Sequence, residues 1–580
     1  MEYNMTYNPR IKNSDNGTVR VSGSVAVNKT GTNISCSNLT VDNSLTFSNT
    51  TGSTGKLSIS SFSGIKTPIR KVSDNTDIST DDHVVLVDAS SKYVKVTLPS
   101  SSQVPGQQFV VKKTDSTNNP IRIIRKTQND IKQTSVLSGS LAIQISDAFG
   151  NCVSINSAGD RLVVGVPDDE KNTATASTGL AYVFTSGSSG WTESAILSGS
   201  LATQASDQFG LSVCINSLGD RLVVGVPDDE KNTATASTGL AYVFTSGSSG
   251  WTESAILSGS LAVDLNDNFG QSVSMNSIGD KIIVGAPSDE RSGGSSSSGL
   301  AYIYISSSVG WRQNAVLSGS LAIQNSDGFG GAVSINSVGD RVIVGAVGDE
   351  RAGSGASSGL AYVFTSGSSG WTESAILSGS LAIDTTDYFG RSVSMNSVGD
   401  RVVVGTESDE AIGGSASMGL AYVFVSGNTG WTENAVLSGS LAIGADDWFG
   451  YSVAMNGAGD RVVVGAAQDE RTGGSANSGL AYVFTSGSSG WVESKILSGS
   501  LAVDANDRFG FSVSSNSDGD RIIVGAYVDE KNAATASTGL AYMFEESTTE
   551  LLDGIADKVL STKNESVRLV SDGSGSWSII

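Results

Sequence analysis

An Asp-Glu pair recurs seven times along the 580-residue chain, at intervals of sixty residues. Paired carboxylates can bind a hard cation such as calcium, or act as a catalytic acid and base. Two adjacent carboxylates supply few calcium ligands unless another loop contributes, and a Lys or Arg often follows the pair. We therefore expect roles in turns and ion pairs, with cation binding as the alternative. The pairs are Asp169 and Glu170, Asp229 and Glu230, Asp289 and Glu290, Asp349 and Glu350, Asp409 and Glu410, Asp469 and Glu470, and Asp529 and Glu530.

A second recurring acid lies two residues before each of seven Phe-Gly pairs, as in Asp147, Phe149 and Gly150. An Asp side chain can cap a turn, and we predict this role for Asp147 and its counterparts. Phe149 is predicted to pack between repeats, and Gly150 to allow a close backbone approach. The counterparts of Asp147 are Asp207, Asp267, Asp327, Asp387, Asp447 and Asp507.

Few residues are suited to catalysis. The single histidine, His83, lies outside the repeats, and no GxSxG, HExxH, Walker or Rossmann pattern occurs in a suitable context. Seven nearly identical repeats also argue against one asymmetric catalytic pocket. We therefore predict that the protein is not an enzyme.

Composition indicates a β-rich chain with a packed core. There are 69 Gly and 8 Pro, and 38% of residues are hydrophobic, which favours short strands and tight turns. The net charge of −22 is concentrated in residues 131–550, which carry 18 Lys and Arg against 44 Asp and Glu. Such a surface should repel nucleic acid and anionic membranes. No run of 18 apolar residues occurs, so we expect no membrane insertion.

The cysteines and the amino-terminal residues indicate a reducing compartment. The three cysteines are Cys36, Cys152 and Cys214; they form no CxxC motif, and an odd number does not suit a disulfide framework. The opening sequence "MEYNMTYNPRIKNSDNG" has no apolar segment of a secretory signal.

The sixty-residue period has no insertion or deletion, which is typical of a repeat architecture. Each period contains four strand candidates, in the first copy "FGNCVSINS", "RLVVGVP", "GLAYVFTS" and "WTESAILSG". The seventh copy lacks the fourth, but "IKQTSVLSGS" (131–140) precedes the first Phe-Gly and has its pattern. The sequence therefore predicts an all-β, seven-bladed β-propeller over residues 131–550, whose last blade is closed by the strand at its start.

The pattern "DxFGxSVxxNSxGDRxVVGAxxDE…GLAYVF…W" resembles the FG-GAP repeat family, which includes the integrin α-subunit propeller. The resemblance covers about 420 residues and implies a propeller used in adhesion or ligand binding. Calcium loops of this family have the pattern D-x-D-x-D-G-x-x-D, and the corresponding hairpins here, such as "NSAGD", contain fewer carboxylates. The seventh hairpin comes closest, so Asn516, Asp518 and Asp520 are its candidate calcium ligands. Otherwise we expect no cofactor.

The flanking segments are predicted to form two further units. Residues 66–130 and 551–580 read as halves of one small, sandwich-like β-module into which the propeller is inserted. Its pattern "VTLP…PG…FVVKKT" with "NESVRLVSDGSGSW" resembles a β-module of giant-virus and phage tail-fibre-like surface proteins. Residues 1–65 alternate in short segments, which suggests a β-rich attachment stalk that could pair between chains as a homotrimer. A flexible linker is the alternative.

These expectations lead to a non-enzymatic virion surface protein, such as a capsid decoration, spike or fibre head. It would be assembled in the host cytoplasm, contact other virion proteins through its amino-terminal segment, and bind a host glycan or protein through the propeller. Tyr388 and Trp448 differ from their counterparts in other repeats, so their rim is the candidate binding face. One alternative is a cellular calcium-stabilised adhesion protein, and another is a propeller-type polysaccharide lyase or hydrolase.

Overall fold

The computed structural model describes most of residues 131–546 and short segments outside them. Within 131–546, the ranges left out are 170–177, 230–237, 291–297, 351–357, 385–386, 410–417, 445, 471–476, 488–489 and 531–536. Outside it, the described segments are 11–14, 18–21, 25–26, 38–41, 45–46, 69–73, 76–78, 82, 84–90, 94–98, 107–116, 121–125, 558–560, 566–571 and 577–579. Cys36, His83 and Glu170 therefore lie outside the described residues. Every regular element in the described part is a β-strand, and no helix there is long and apolar enough to cross a bilayer.

Five short strands occur in the predicted stalk. Strands β1, β2 and β4 form one sheet, and β3 pairs with β5. The homotrimer stays a prediction. The strands are β1 (Ile11–Ser14), β2 (Thr18–Val21), β3 (Val25–Ala26), β4 (Asn38–Val41) and β5 (Leu45–Thr46).

Strands from both sides of the propeller pair with one another. One sheet has the order β42-β41-β10-β8-β6 and a second the order β40-β11-β9-β7, and buried side chains of both sheets, such as Phe109 and Ile123, belong to one hydrophobic cluster. The domain boundaries given above stay a prediction. The strands are β6 (Ile69–Val72), β7 (Thr76–Asp77), β8 (Val84–Val87), β9 (Val94–Leu98), β10 (Gln108–Lys113), β11 (Ile121–Arg125), β40 (Lys558–Leu560), β41 (Ser566–Ser571) and β42 (Trp577–Ile579).

Residues 131–546 form seven four-stranded antiparallel blades, as the sixty-residue repeat predicts. The first three blades are β13 (Cys152–Ile155), β14 (Arg161–Val166), β15 (Leu180–Gly187) and β16 (Gly190–Leu197); β17 (Ser212–Ile215), β18 (Arg221–Val226), β19 (Leu240–Gly247) and β20 (Gly250–Leu257); and β21 (Ser272–Met275), β22 (Lys281–Ala286), β23 (Leu300–Ser307) and β24 (Gly310–Leu317).

The next three blades repeat this arrangement, and the seventh draws its fourth strand from the start of the ring. Blades four to six are β25 (Phe329–Ile335), β26 (Arg341–Ala346), β27 (Leu360–Gly367) and β28 (Gly370–Leu377); β29 (Ser392–Met395), β30 (Arg401–Thr406), β31 (Leu420–Gly427) and β32 (Gly430–Leu437); and β33 (Phe449–Met455), β34 (Arg461–Ala466), β35 (Leu480–Gly487) and β36 (Gly490–Leu497). The seventh is β37 (Ser512–Ser515), β38 (Arg521–Ala526), β39 (Leu540–Glu546) and β12 (Ile131–Leu137).

Ring closure follows the predicted pairing of the first strand with the last blade. Strand β12 runs antiparallel to β39, with Ile131 opposite Glu546 and Leu137 opposite Ala541. Closure gives the seventh blade four strands like the other six and covers the edge of β39 that would otherwise be open to pairing with other strands. The expectation for residues 131–140 is thereby confirmed.

The repeated aromatic residues form the core between blades. Phe149 is fully buried and makes edge contacts with Tyr182 and Phe184, with ring centroids 5.5 Å and 6.2 Å apart. The same three-ring cluster occurs in each blade, with Tyr304 taking the place of Phe184 in the third. The packing role predicted for the Phe-Gly phenylalanines is confirmed.

Because the strands of each blade are antiparallel, the connections gather on two opposite faces. The FG face carries the Phe-Gly turns, the Asp-Glu loops and the segments that follow each fourth strand. The hairpin face carries the "NSxGD" hairpins and the two-residue turns before each fourth strand. A central cavity of about 200 Å³ is lined by inner-strand residues such as Ile155, Ile215 and Met275.

Candidate functional site

The first member of each Asp-Glu pair is buried. It follows the second strand of its blade on the FG face, and in the third blade Asp289 is fully buried and accepts a hydrogen bond from the Tyr302 hydroxyl on Oδ2. Its carbonyl oxygen also accepts the Gly299 N–H at 2.8 Å. This aspartate therefore lies in the protein interior, not on a solvent-exposed loop. The same Tyr-to-Asp bond occurs at Asp169, Asp229, Asp349, Asp409, Asp469 and Asp529.

The aspartate before each Phe-Gly caps a turn, as predicted. Asp147 Oδ2 accepts the Gln144 N–H at 2.7 Å, and the corresponding bond joins Asp267 to the N–H of Asp264 at 2.7 Å. Both aspartates are almost fully buried. One carboxylate oxygen of this aspartate thus accepts a hydrogen bond within the turn. The same side chain also lies close to the Asp-Glu loop of its blade.

Three carboxylates meet where these two loops approach each other. In four blades, the aspartate before Phe-Gly and both members of the Asp-Glu pair offer ligand atoms that all lie within 4.8 Å of one another. The sequence analysis missed this third carboxylate, although both motifs occur in all seven repeats. We call these groups the acidic triads: Asp267, Asp289 and Glu290; Asp327, Asp349 and Glu350; Asp447, Asp469 and Glu470; and Asp507, Asp529 and Glu530.

Among the described residues, no Lys or Arg forms an ion pair with the carboxylates of the triads. Burial raises the pKa of Asp289 to about 7, repulsion from Asp267 and Glu290 adds to the shift, and the Tyr302 hydroxyl opposes it. Burial likewise raises the pKa of Asp267 to about 6. Asp289 Oδ1 is buried and accepts no hydrogen bond from any described residue, whereas in the other three triads the N–H of the following glutamate donates to the equivalent oxygen. A buried carboxylate oxygen without a donor is unfavourable, and a divalent cation would satisfy it while keeping the acids ionised.

The hairpin candidates Asn516, Asp518 and Asp520 are placed differently. Asn516 Oδ1 accepts the Arg521 N–H at 3.0 Å, and its Nδ2 donates to Asp520 Oδ1 at 2.8 Å. The other six hairpins have the same Asn-to-Asp bond, as between Asn156 and Asp160 at 2.8 Å. Among the described residues, groups of three close carboxylates occur at the triads and not at this hairpin. Its residues hold the turn and fit an all-oxygen calcium cage poorly.

A second cluster on the FG face breaks the symmetry of the ring. Trp448 stacks on Tyr451 with ring centroids 5.3 Å apart, Tyr451 contacts Phe511 at 4.7 Å, and Phe511 contacts Tyr527 at 4.3 Å. Arg508 lies 5.0 Å above the Trp448 ring. Arg391 lies 4.4 Å above the Tyr451 ring. We call Arg391, Trp448, Tyr451, Arg508, Phe511 and Tyr527 the aromatic–arginine surface.

This surface spans the fifth to seventh blades, and its members are half-buried. The first four blades carry smaller or aliphatic residues at the positions of Trp448 and Tyr451. At the first position they have Ala148, Gln208, Asn268 and Gly328, and at the second Asn151, Leu211, Gln271 and Gly331. Trp448 stands out in the sequence because it differs from its counterparts in the other repeats. Its contacts cannot be predicted from the sequence, because they join three blades.

Seven four-stranded blades in a closed ring define a seven-bladed β-propeller. Within this class, the chain carries FG-GAP repeats. The FG-GAP repeat family matches residues 251–304, 311–364, 371–424, 431–484 and 493–544. The predicted resemblance to FG-GAP repeats is thereby confirmed over these five segments, and the resemblance of the flanking residues to viral and tail-fibre-like proteins stays a prediction.

Other comparisons add little about function. No curated protein sequence matches the chain. Among solved structures, it is similar to the β-propeller domain of Cps50 (Swd1) from Myceliophteria thermophila, with 10% sequence identity and a TM-score of 0.45. That similarity covers 72% of this chain and 100% of the other. It is too distant to support any argument about function.

Proposed function

We propose that the protein is a non-enzymatic, adhesion-type binding protein whose propeller contacts its ligand through the FG face. The observation that supports this most is the aromatic–arginine surface. On a ring whose packing residues repeat in every blade, three neighbouring blades bring Trp, Tyr, Phe and Arg side chains together where they remain partly exposed. Aromatic and arginine residues are enriched where proteins bind partners.

A binding role also agrees with the distribution of the acidic groups. The triads occur at equivalent places in four blades, whereas catalysis needs one asymmetric set of acid and base groups. This repetition favours a structural ion site in each of these four blades. We therefore propose calcium as a stabilising cofactor, held by carboxylates such as Asp267, Asp289 and Glu290. Carboxylate oxygens are the ligands that calcium prefers, and Asp289 Oδ1 is available for one.

The biological setting that we propose is a virion surface, with assembly in a host cytoplasm. The amino-terminal segment would attach the chain to other virion proteins, as a homotrimer, and the propeller would be displayed to bind a host glycan or protein. This part rests on the resemblance of the flanking β-module to viral and tail-fibre-like proteins, which is an analogy and not a property of the site.

Binding of the full-length protein to a glycan array and to intact host cells tests the proposed function. We expect binding that is lost in a Trp448→Ala, Phe511→Ala double variant of the FG face. The matched control is a Leu218→Ala, Ile278→Ala double variant, because these exposed apolar side chains lie on the hairpin face. Absence of any binding by the unaltered protein would refute the proposal. Loss in the control alone would move the binding site to the hairpin face.

The virion setting has its own test. Mass spectrometry of purified virions should detect this chain, and protease treatment of intact particles should release propeller peptides. If the chain is missing from the particles, the virion role is wrong, whereas binding through the FG face would be unaffected.

A further inference from the structure

We propose that the aromatic–arginine surface binds an acidic sugar, with a carboxylate of the sugar on Arg508 and its ring against the neighbouring aromatic side chains. This inference rests on the proposed function, since it names the ligand class of the same FG face. It depends on a difference between the two arginines of the surface: Arg391 is paired with an acid of the protein, whereas Arg508 has no such partner among the described residues.

Arg391 is paired with an acid within the protein, and two of its guanidinium nitrogens donate hydrogen bonds there. Its Nε donates to Glu407 Oε2 at 3.0 Å, one Nη donates to the Tyr451 hydroxyl at 2.6 Å, and its guanidinium lies over the Tyr451 ring. The Glu407 carboxylate neutralises its charge. Arg391 therefore fixes the position of Tyr451, and it has little left to offer to a ligand.

Arg508 is held in place, but no described residue neutralises its charge. Its guanidinium lies over Trp448, and its Nη1 is buried without a hydrogen-bond partner. In the part of the chain that the structure describes, no carboxylate forms an ion pair with it. A charged N–H group out of contact with both water and an acceptor is unfavourable. A ligand oxygen would remove that penalty, and a carboxylate matches the fork of a guanidinium best.

Charge and shape together select the ligand. The chain carries a net charge of −22, so a polyanion such as nucleic acid or a heavily sulfated chain is repelled. Of the two arginines of the surface, Arg508 is the one for which the described residues supply no counter-ion, and a single carboxylate would match it. The rest of the surface is a continuous row of aromatic rings, from Trp448 to Tyr527, that suits the apolar face of a pyranose. An acidic sugar combines both features, whereas an acidic peptide is the competing ligand.

Ligand-observed NMR with the full-length protein tests this inference, using sialyllactose against lactose and a glucuronide against the matching glucoside. We expect the acidic member of a pair to bind at least tenfold more tightly. Arg508→Gln should remove that preference, and Arg508→Lys should restore part of it. Arg312→Gln, which changes an exposed arginine on β24, is the matched control and should bind as the unaltered protein does.

The outcomes separate this inference from the proposed function. Equal binding of acidic and neutral sugars, or an Arg508→Gln variant that folds and keeps the preference, would overturn the acidic-sugar site while the FG face remained a binding face. Binding of an aspartate-rich peptide in place of the sugars would also overturn it. If the array and the host cells show no binding either, the proposed function fails with it. Thermal melting of each variant verifies that it is folded.

Discussion

At the scale of single residues, one motif serves two purposes. The buried aspartate of each Asp-Glu pair accepts the hydroxyl of the core tyrosine, as Asp169 does from Tyr182. That bond ties the core between blades to the loop of the FG face. In the triads, the same carboxylate also faces two other acids. The Asp-Glu pair thus combines a structural role with the capacity for cation binding. The structural role expected from the sequence and the alternative of cation binding are therefore compatible.

Removal of one core hydroxyl should destabilise the propeller. Tyr182→Phe leaves Asp169 Oδ2 buried without its hydroxyl donor, and we expect a loss of about 1–3 kcal/mol in the free energy of unfolding. Chemical denaturation followed by fluorescence measures it.

The chain provides a matched control for this loss. Tyr304 takes the place of a phenylalanine found in the other blades, and its hydroxyl donates to the Ser258 carbonyl at 2.7 Å. Tyr304→Phe removes the same atom without uncovering a carboxylate and should cost less than Tyr182→Phe. Equal losses in the free energy of unfolding would mean that the tyrosine–aspartate hydrogen bond stabilises the propeller no more than the hydrogen bond of Tyr304 does.

At the scale of elements, glycines set the distance between blades. A Cβ built on Gly165 would lie 1.9 Å from the Gly210 carbonyl oxygen of the next blade. The corresponding contact closes the ring, since a Cβ on Gly525 would lie 2.0 Å from the Gly150 carbonyl oxygen. The glycine of each Phe-Gly pair and the glycine of each second strand therefore form one contact, repeated around the ring.

This contact makes Gly165→Ala severely destabilising. The added methyl group would have to displace backbone of the neighbouring blade, so we expect a loss of more than about 3 kcal/mol or failure to fold. Differential scanning calorimetry and the yield of folded protein measure it.

Gly247→Ala is the control for this variant, because a Cβ at this strand end meets nothing within 4 Å. It should change stability by less than about 0.5 kcal/mol. A stable Gly165→Ala protein would show that the spacing between blades adapts more readily than the structure implies.

The blades could be predicted from the sequence because each strand is a local, repeated pattern. Phe149, Tyr182 and the closing strand at 131–140 all follow from the sixty-residue period. The acidic triads and the aromatic–arginine surface could not be predicted, since they depend on loops and blades meeting in space. Asp267 stands 22 residues before Asp289, and only the geometry of the blade brings them together. The calcium ligands expected in the hairpin at Asn516 were suggested by a family pattern that this chain lacks.

At the scale of the whole molecule, the net charge of −22 makes the propeller sensitive to cations. We expect chelation with EDTA to lower the melting temperature and calcium to restore it. A cation at a hundredfold excess over its Kd stabilises a folded protein by about 2.7 kcal/mol per site. An unchanged melting temperature after exhaustive chelation would contradict cation binding at the triads.

Substitutions distinguish the two candidate cation sites. The double variant Asp267→Asn, Glu290→Gln should bind one calcium ion fewer per chain by elemental analysis, because it removes two carboxylates of one triad. Asp518→Asn should leave the calcium content unchanged. The reverse pattern would assign the ion to the seventh hairpin.

Closure of the ring gives β12 a role that no other outer strand has. Leu137 in β12 and Leu257 in β20 occupy the same position in their blades and are both nearly buried. Strand β20 is connected to β19 by a two-residue turn, whereas residues 138–539, just over four hundred, lie between β12 and β39. Between neighbouring blades, the Ser500 N–H donates to Gln133 Oε1 of β12 at 2.9 Å, as the Ser140 N–H donates to Glu193 Oε2 of β16 at 2.9 Å.

Aspartate at either leucine buries a charge without a partner and should lower the melting temperature. Only Leu137→Asp should also release β12, because the short turn keeps the strand in place in Leu257→Asp. The freed edge of β39 would then pair with other chains, so we expect a larger hydrodynamic radius and higher oligomers by light scattering. If both variants keep the size of the unaltered protein, the ring is held by contacts between its blades, and pairing of β12 with β39 is not what keeps it closed.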